Sequence, residues 1–170
     1  MQVKICNVHL VAKKSVNRPR SGCPVCVLLE QLGDRWSLLI IRDLMVRGYR
    51  TFHEFQHAGE GIATNVLASR LRKLTTHEII TAEPATEDGR SIHYRLTPKG
   101  VALAPLMLEL LLWAARHEET AAPCGFVEQM EKDRQGMLKE TYRRWERRDT
   151  TPLIPPFPSP TRTQARRKSR

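Results

Sequence analysis

The feature that most constrains the fold is a change of hydrophobic period near the middle of the chain. In residues 61–74, "GIATNVLASRLRKL", apolar side chains recur every three to four positions, which is the spacing of one helix face. After residue 78 the period falls to about two, in short runs around Ile80 and Tyr94 that predict β-strands. Between these runs, Asp88-Gly89 is a hairpin-turn signal. The sequence therefore predicts a helix followed directly by a β-hairpin.

Three further helices are predicted before this unit, and one begins directly after it. Proline at a first helical position and Gly33 predict a helix over 24–32, and Asp34 is expected to cap the next one, over 35–46. Thr51 is expected to cap a short helix, and Thr97-Pro98 to begin another helix after the hairpin. This order of elements predicts an α+β, mainly α, winged helix-turn-helix, in which residues 61–74 form the second helix of the motif.

The helix after the hairpin is apolar on nearly all sides. From residue 101 to residue 115 the one charged side chain is Glu109. A small domain cannot cover such a helix alone, so we expect a second copy of the chain to do so, which makes this a long C-terminal dimerisation helix. Pro105 is expected to kink it.

A second amphipathic segment follows at residues 125–148, predicted as one helix. Its apolar stripe holds Phe126, Met130, Met137, Thr141 and Trp145. The chain is accordingly divided into a basic flexible arm (1–20), the winged helix-turn-helix domain (21–118), a C-terminal amphipathic extension (119–149) and a disordered, proline-rich basic tail (150–170). No apolar run of about 18 residues is present, so no membrane contact is expected.

Positive charge is concentrated at the two ends of the chain. The net charge is +10, with 28 basic and 18 acidic residues. Residues 1–22 and residues 150–170 each carry five basic side chains and no acidic one, so the body between them is neutral. Basic arms on a neutral body are typical of a protein that binds a polyanion.

Several blocks of the sequence, in order, resemble the HxlR family of bacterial winged helix-turn-helix transcriptional regulators. They are "SGCPV" (21–25), "LGDRWSLLIIRDL" (32–44), "TFHEF" (51–55), "GEGIATNVLASRL" (59–71), "DGR" (88–90) and "YRLTPKG" (94–100). The resemblance implies a homodimer, expected to be a repressor, that binds double-stranded DNA at a pseudo-palindromic operator in the bacterial cytoplasm, on the nucleoid. It implies no enzymatic activity, cofactor or metal. One departure is Glu78, which stands where the family has a glycine in a left-handed conformation.

Residues for reading DNA follow from the fold that the resemblance implies. The first turns of a recognition helix contact base edges in the major groove, and phosphate contacts set the position of the protein. The predicted DNA-binding residues are Thr64, Asn65, Ala68, Ser69, Arg72 and Lys73 on this helix, Arg90 at the tip of the wing, and Arg50 before the short helix.

A pair of cysteines at the start of the first helix suggests a switch. Cys23 lies just before a helix, where backbone N–H groups favour a thiolate, and Cys26 follows one turn later. Some members of the family sense oxidants or electrophiles through a cysteine at the position of Cys23, so an oxidant or small-molecule effector is expected. Cys26 would be the resolving thiol or a small core residue.

Two other functions are alternatives to a regulator. One is a non-specific nucleic-acid-binding protein that uses its basic arms, for which deletion of residues 150–170 would abolish binding. The other is a C-x-x-C thiol oxidoreductase, which would require strand-rich α/β structure around the cysteines. The sequence has no glycine-rich phosphate loop and no nucleophile elbow that would favour an enzyme.

Overall fold

The computed structural model describes residues 21–85 and 91–154. Within these ranges the elements are α1 (Pro24–Leu32), α2 (Arg35–Arg42), α3 (Phe52–Gln56), α4 (Thr64–Thr76), β1 (Ile80–Pro84), β2 (Ile92–Leu96), α5 (Pro98–Val101), α6 (Ala104–His117), α7 (Cys124–Lys132) and α8 (Arg134–Glu146). Helix α2 continues as a π-helical turn, Asp43–Arg47. This mainly helical chain with a two-stranded sheet confirms the winged helix-turn-helix. The predicted arm at 1–20 and the tail from 155 onward lie outside the described residues.

Side-chain caps begin three of the helices in the winged domain. The Asp34 carboxylate accepts a hydrogen bond from the Ser37 backbone N–H at 3.0 Å and so caps α2. Thr51 and Glu54 form a reciprocal capping box at α3. The Thr97 hydroxyl accepts from the Gly100 N–H at 3.0 Å. All three predicted caps are confirmed, and each stabilises its helix by about 1 kcal/mol.

The hydrophobic core lies where α4 packs on α2 and on β1. Leu67 and Leu74 of α4 are fully buried beside Ile41 and Leu44. Burying a leucine or isoleucine side chain stabilises the fold by roughly 1.5–3 kcal/mol. Ile40, Phe55 and Leu71 are buried in the same core, and Trp36 and Phe52 pack at its edge.

The junction between α4 and β1 has a left-handed residue at the predicted position. Glu78 has φ 58°, a conformation that glycine adopts at least cost. The Ile79 N–H donates to the Leu74 carbonyl at 2.9 Å, and the Glu78 N–H donates to the Thr75 carbonyl at 3.0 Å. These two bonds end the helix in a Schellman motif and turn the chain into the wing.

The wing is an antiparallel pair, with Ile80 opposite Leu96 and Pro84 opposite Ile92. The predicted strand around Ile80 is confirmed as β1, which begins at that residue. The predicted turn at Asp88-Gly89 lies outside the described residues.

The apolar helix after the wing is divided into α5 and α6. Helix α5 ends at Val101, α6 begins at Ala104, and Pro105 lies in the first turn of α6. The prediction of one helix kinked at Pro105 is therefore wrong: the break lies at residues 102–103, and Pro105 occupies a position that suits the start of a helix. By length and composition alone, Pro98–His117 is apolar enough to cross a membrane, with a mean hydropathy of 1.3, and only 28% of the stretch is buried within one chain.

The C-terminal extension consists of two helices, so the predicted single helix over 125–148 is wrong. The break falls at Asp133, which adopts φ −128° and ψ 58° and whose carboxylate caps α8 through the Gly136 N–H. Both helices pack against α6, and α8 also contacts the π-helical turn. The indole N–H of Trp145 donates to the Leu96 carbonyl at 2.7 Å. The extension is therefore joined to the wing strand as well as to α6.

Candidate nucleic-acid interface

Helices α3 and α4 form the helix-turn-helix, and the turn between them uses left-handed glycines. Gly59 and Gly61 have φ of 88° and 72°, which other residues adopt only with strain. The carboxamide of Gln56 at the end of α3 donates to the Thr64 hydroxyl at 2.8 Å. This bond ties the end of the first helix to the start of the second.

Helix α4 separates its side chains into a buried face and an outer face. Leu67, Leu71 and Leu74 are buried. The outer face carries the predicted base-reading residues: Thr64, Asn65, Ser69 and Arg72 are exposed, and Ala68 is half-buried. The helix contains no acidic residue. Residues 64 to 72 span about 12 Å along the axis, comparable to the width of the DNA major groove of about 12 Å.

Two of these side chains already make short-range hydrogen bonds. The Asn65 side-chain oxygen accepts from the Val66 N–H at 2.9 Å, and the Thr64 hydroxyl accepts from Gln56. The Asn65 amide nitrogen and the Thr64 hydroxyl proton remain as donors. Both residues can therefore donate to a base or a phosphate without losing these bonds.

The three basic residues of α4 differ in how they are held. The Arg70 Nε lies 2.9 Å from one carboxylate oxygen of Asp34, and the Lys73 Nζ lies 3.5 Å from the other. The Arg72 guanidinium is exposed and has no ion pair with any residue in 21–85 or 91–154. Arg72 is thus free to meet an anion, whereas the predicted DNA contact of Lys73 competes with its pairing to Asp34.

Burial and counter-charges act in opposite directions on Asp34. Burial favours the neutral acid, but the Ser37 hydrogen bonds and the charges of Arg70 and Lys73 outweigh it, so the pKa of Asp34 is lowered. The carboxylate is therefore ionised at neutral pH and holds both cations. Sequence reasoning identified Asp34 as a cap and missed this link to α4, because the partners are 36 and 39 positions away.

Arg50 is half-buried and lies between the π-helical turn and α3. Its Nη1 donates to the carbonyl oxygens of Leu44 and Tyr49, at 2.7 Å and 2.6 Å. Burial, followed by the charge of Arg95, lowers the pKa of Arg50. Since both protons of Nη1 are used inside the protein, a phosphate contact by Arg50 has to come from Nη2 or Nε.

The wing residue Arg90 lies outside the described residues. The neighbouring strand carries Arg95, whose guanidinium donates to the Trp145 carbonyl and lies 5.4 Å from the centroid of the Trp145 ring. Sequence reasoning assigned Arg95 no role. Its contact shows that the wing strand is held by the extension from one side.

Cys23 is the N-cap residue of α1, and both Cys23 and Cys26 are exposed free thiols. Backbone hydrogen bonds from Cys26 and Val25, and a weaker one from the Cys26 thiol, lower the pKa of Cys23. The predicted thiolate-favouring position is therefore present. Among the described residues, no cluster of three or more His, Cys, Asp or Glu side chains has metal-site geometry.

A sequence model of the HxlR-like helix-turn-helix family matches residues 31–122. The chain belongs to the HxlR-like helix-turn-helix family. This range contains α2 to α6 and every predicted DNA-binding residue. As a member of this family, the chain is a DNA-binding transcriptional regulator and not an enzyme. Helices α7 and α8 lie beyond the matched range.

Individual relatives agree with the family. YodB of Bacillus subtilis, an HTH-type transcriptional regulator, is 37% identical over 97 residues, which are 55% of this chain and 86% of YodB. An uncharacterised HTH-type transcriptional regulator of Synechocystis, sll1512, is 32% identical over 88 residues, covering 52% of this chain and 64% of that protein. Among solved structures, PA1607, a proposed transcription factor, is similar at 42% identity with a TM-score of 0.55, over 59% of this chain and 69% of PA1607.

Proposed function

We propose that this HxlR-like regulator reads a specific operator with the outer face of α4 in the major groove. The supporting observation is a helix free of acidic residues whose exposed face carries an unpaired arginine beside hydroxyl and amide groups. Each base pair presents a distinct pattern of donors and acceptors in the major groove. The exposed hydroxyl, amide and guanidinium groups of α4 can pair with these donors and acceptors. A helix face that contacts only water does not require such groups.

The side chains divide by the contacts that they can make. Asn65 can bond adenine, and the methyl groups of Thr64 and Ala68 can pack on thymine. Ser69 and Arg72, one turn apart, face guanine or the adjoining phosphate. Lys73 is proposed to position the helix on the backbone once DNA displaces Asp34. Arg90 is proposed to contact the minor groove from the wing, and Arg50 a phosphate.

The functional unit is proposed to be a homodimer. On α6, Leu110 and Trp113 are 42% and 57% exposed, and on α1, Val25 and Leu29 are 61% and 57% exposed. Large apolar side chains left in water on two helices are typical of an interface between subunits. Leu110 and Trp113 stay exposed although α7 and α8 pack against the same helix. Two-fold symmetry then requires a pseudo-palindromic operator, and a protein on such a site represses by excluding polymerase.

The dimer is tested by Trp113→Asp in the full chain. A carboxylate in the interface should convert the dimer to a monomer in sedimentation velocity and reduce operator affinity at least tenfold. The control is Phe126→Asp, which places the same charge on a half-buried position of the extension. A dimeric Trp113→Asp protein would contradict the proposed interface.

DNA reading is tested by Asn65→Ala. Removal of a bidentate adenine contact should cost about 1–3 kcal/mol on the preferred operator and relax the preference at one position of each half-site. The control is Gln135→Ala, an exposed amide on α8. Equal losses on operator and on unrelated DNA would assign Asn65 to the backbone instead.

A thiol switch is the second proposed function, supported by the lowered pKa of Cys23. Diamide would take two electrons and two protons from the thiols of Cys23 and Cys26 and leave them joined in a disulfide. Because Cys23 is the N-cap residue of α1, this bond would distort the start of the helix and disturb the apolar surface carrying Val25 and Leu29. Cys23→Ser should keep operator binding in the presence of diamide, while the wild-type protein and the Cys124→Ser control lose it. Equal loss in all three proteins would exclude Cys23.

A further inference from the structure

A cavity of about 260 Å³ lies between the winged-helix body and the C-terminal extension. Its walls come from the π-helical turn, from α6, α7 and α8, and from Leu153 and Ile154 after α8. The family match ends at residue 122, so roughly half of this cavity is built by a segment beyond the matched domain. The cavity is distinct from the DNA-facing surface of α4.

The walls are apolar and adaptable. The chain has five methionines, and four of them, Met45, Met107, Met130 and Met137, line the cavity. Methionine is unbranched and polarisable, so it fits irregular apolar ligands and packs well against aromatic rings. The polar lining residues are Arg42 and Thr141, and the Thr141 hydroxyl is already bonded to the Met137 carbonyl at 2.9 Å.

Arg42 brings a positively charged side chain to this lining. Its Nε donates to Asp43 and its Nη1 to Glu60, both at 2.9 Å. Its Nη2 lies 2.8 Å from the Asp43 carboxylate in an ion pair. Two carboxylates therefore hold the guanidinium group in place.

The charge around Arg42 selects the sign of the ligand. Arg35, Arg42 and Arg47 face the two carboxylates of Asp43 and Glu60. Burial is the main influence on Asp43 and raises its pKa, while the arginines act in the opposite direction. The cluster has one positive charge in excess when both acids are ionised. A cationic ligand is disfavoured there, and an anionic oxygen is favoured.

We propose that this cavity binds an aromatic acid of one or two rings, with its ring among the methionines and its acid group toward the positive charge around Arg42. An engineered cavity of about 150 Å³ lined by apolar side chains binds benzene, so 260 Å³ admits two fused rings. Arg42 is paired with Glu60, which lies in the loop that precedes α4. The ligand is therefore linked to this loop through Arg42. A role of this ligand as an effector rests on the proposed function. Binding of the ligand in the cavity does not depend on DNA.

The probe is 2-naphthoate, compared with naphthalene and with 2-naphthylmethylamine, added to the full chain carrying 13C-methyl methionine. We expect saturable shifts of at least two of the four cavity methyl signals with 2-naphthoate. Binding of the amine should be at least about tenfold weaker, because the excess positive charge around Arg42 repels a cation. The signal of Met1 is the internal reference. No shift of the cavity signals would overturn the proposal, including the case in which residues 155–170 or a second copy fill the cavity.

Two variants assign the bound site. Leu153→Trp fills the cavity from the end of the chain and should weaken 2-naphthoate at least tenfold, while Lys139→Trp on the exposed side of α8 should not. Arg42→Gln should abolish the preference for 2-naphthoate over naphthalene and keep naphthalene binding. Unchanged 2-naphthoate binding by either Leu153→Trp or Arg42→Gln would contradict the site. Because no DNA is present, these results are independent of whether an operator is found.

Discussion

Two substitutions of Asp34 should separate the stability that comes from its cap on α2 from the stability that comes from its ion pairs with α4. In Asp34→Ala, the bond to the Ser37 N–H and both ion pairs are lost. The cap contributes about 1 kcal/mol and each partly exposed ion pair up to about 1 kcal/mol, so the free energy of unfolding should fall by about 2 kcal/mol. Asparagine caps as well as aspartate, so Asp34→Asn should lose only the ion pairs, about 1 kcal/mol. Urea unfolding measures both values.

Asp34→Asn should strengthen non-specific DNA binding although it lowers stability. In Asp34→Asn, Arg70 and Lys73 lose their shared counter-charge and become available to phosphates. Each additional phosphate contact steepens the plot of log K against log salt by about 0.9, so the slope should steepen by between about one and two. Fluorescence anisotropy on unrelated duplex DNA, from low to physiological salt, measures this slope.

The stabilisation that Asp34 provides should depend on pH. The pKa of Asp34 is lowered on folding, because the Ser37 bonds and the two cations outweigh burial. Its contribution is therefore complete above the unfolded pKa of about 3.9 and is lost as pH falls through the folded value. The stability gap between wild type and Asp34→Asn should narrow below about pH 4. Asp133→Asn, a cap on α8, is the matched control. If Asp34→Asn kept both wild-type stability and the wild-type salt slope, the assigned role would be refuted.

Three other substitutions test separate parts of the account. Glu78→Gly should raise the free energy of unfolding by about 1 kcal/mol in urea, because φ is 58° at this position; a destabilised protein would contradict the strain. Trp145→Phe removes the hydrogen bond to the Leu96 carbonyl and should cost about 1 kcal/mol and speed proteolysis of α8, whereas unchanged stability would contradict a role for this bond. Arg72→Ala should weaken operator binding by about 1–3 kcal/mol, measured by anisotropy, with wild-type affinity refuting a DNA contact.

Local signals in the sequence predicted the winged domain well because each depends on neighbouring residues. The caps at Asp34, Thr51 and Thr97 follow from short-range rules and are confirmed. The left-handed position at Glu78, which the family resemblance implied, is confirmed too. The change of period after α4 placed β2 and the start of β1 correctly to within one residue. These features depend on backbone sterics and side-chain spacing, which the sequence displays directly.

Contacts between distant segments were not predictable in this way. The pairing of Asp34 with Arg70 and Lys73 joins residues more than 30 positions apart, and nothing in either segment indicates the partner. The break at Asp133 was missed because the apolar stripe of the extension continues across it at helical spacing. Arg50 was assigned to DNA from its position between helices, while the structure directs its Nη1 to two backbone carbonyls. The contribution of Arg90 remains a prediction.

The most direct test of the central claim is selection of preferred duplexes from a random DNA pool by the full chain. If α4 reads bases and the protein is a homodimer, the selected DNA will contain an inverted repeat whose half-sites lie one helical turn apart, about 34–36 Å. Asn65→Ala protein will lose the preference at one position of each half-site. Retention of all duplexes at low salt with no enriched motif would contradict the account and assign binding to the basic arms.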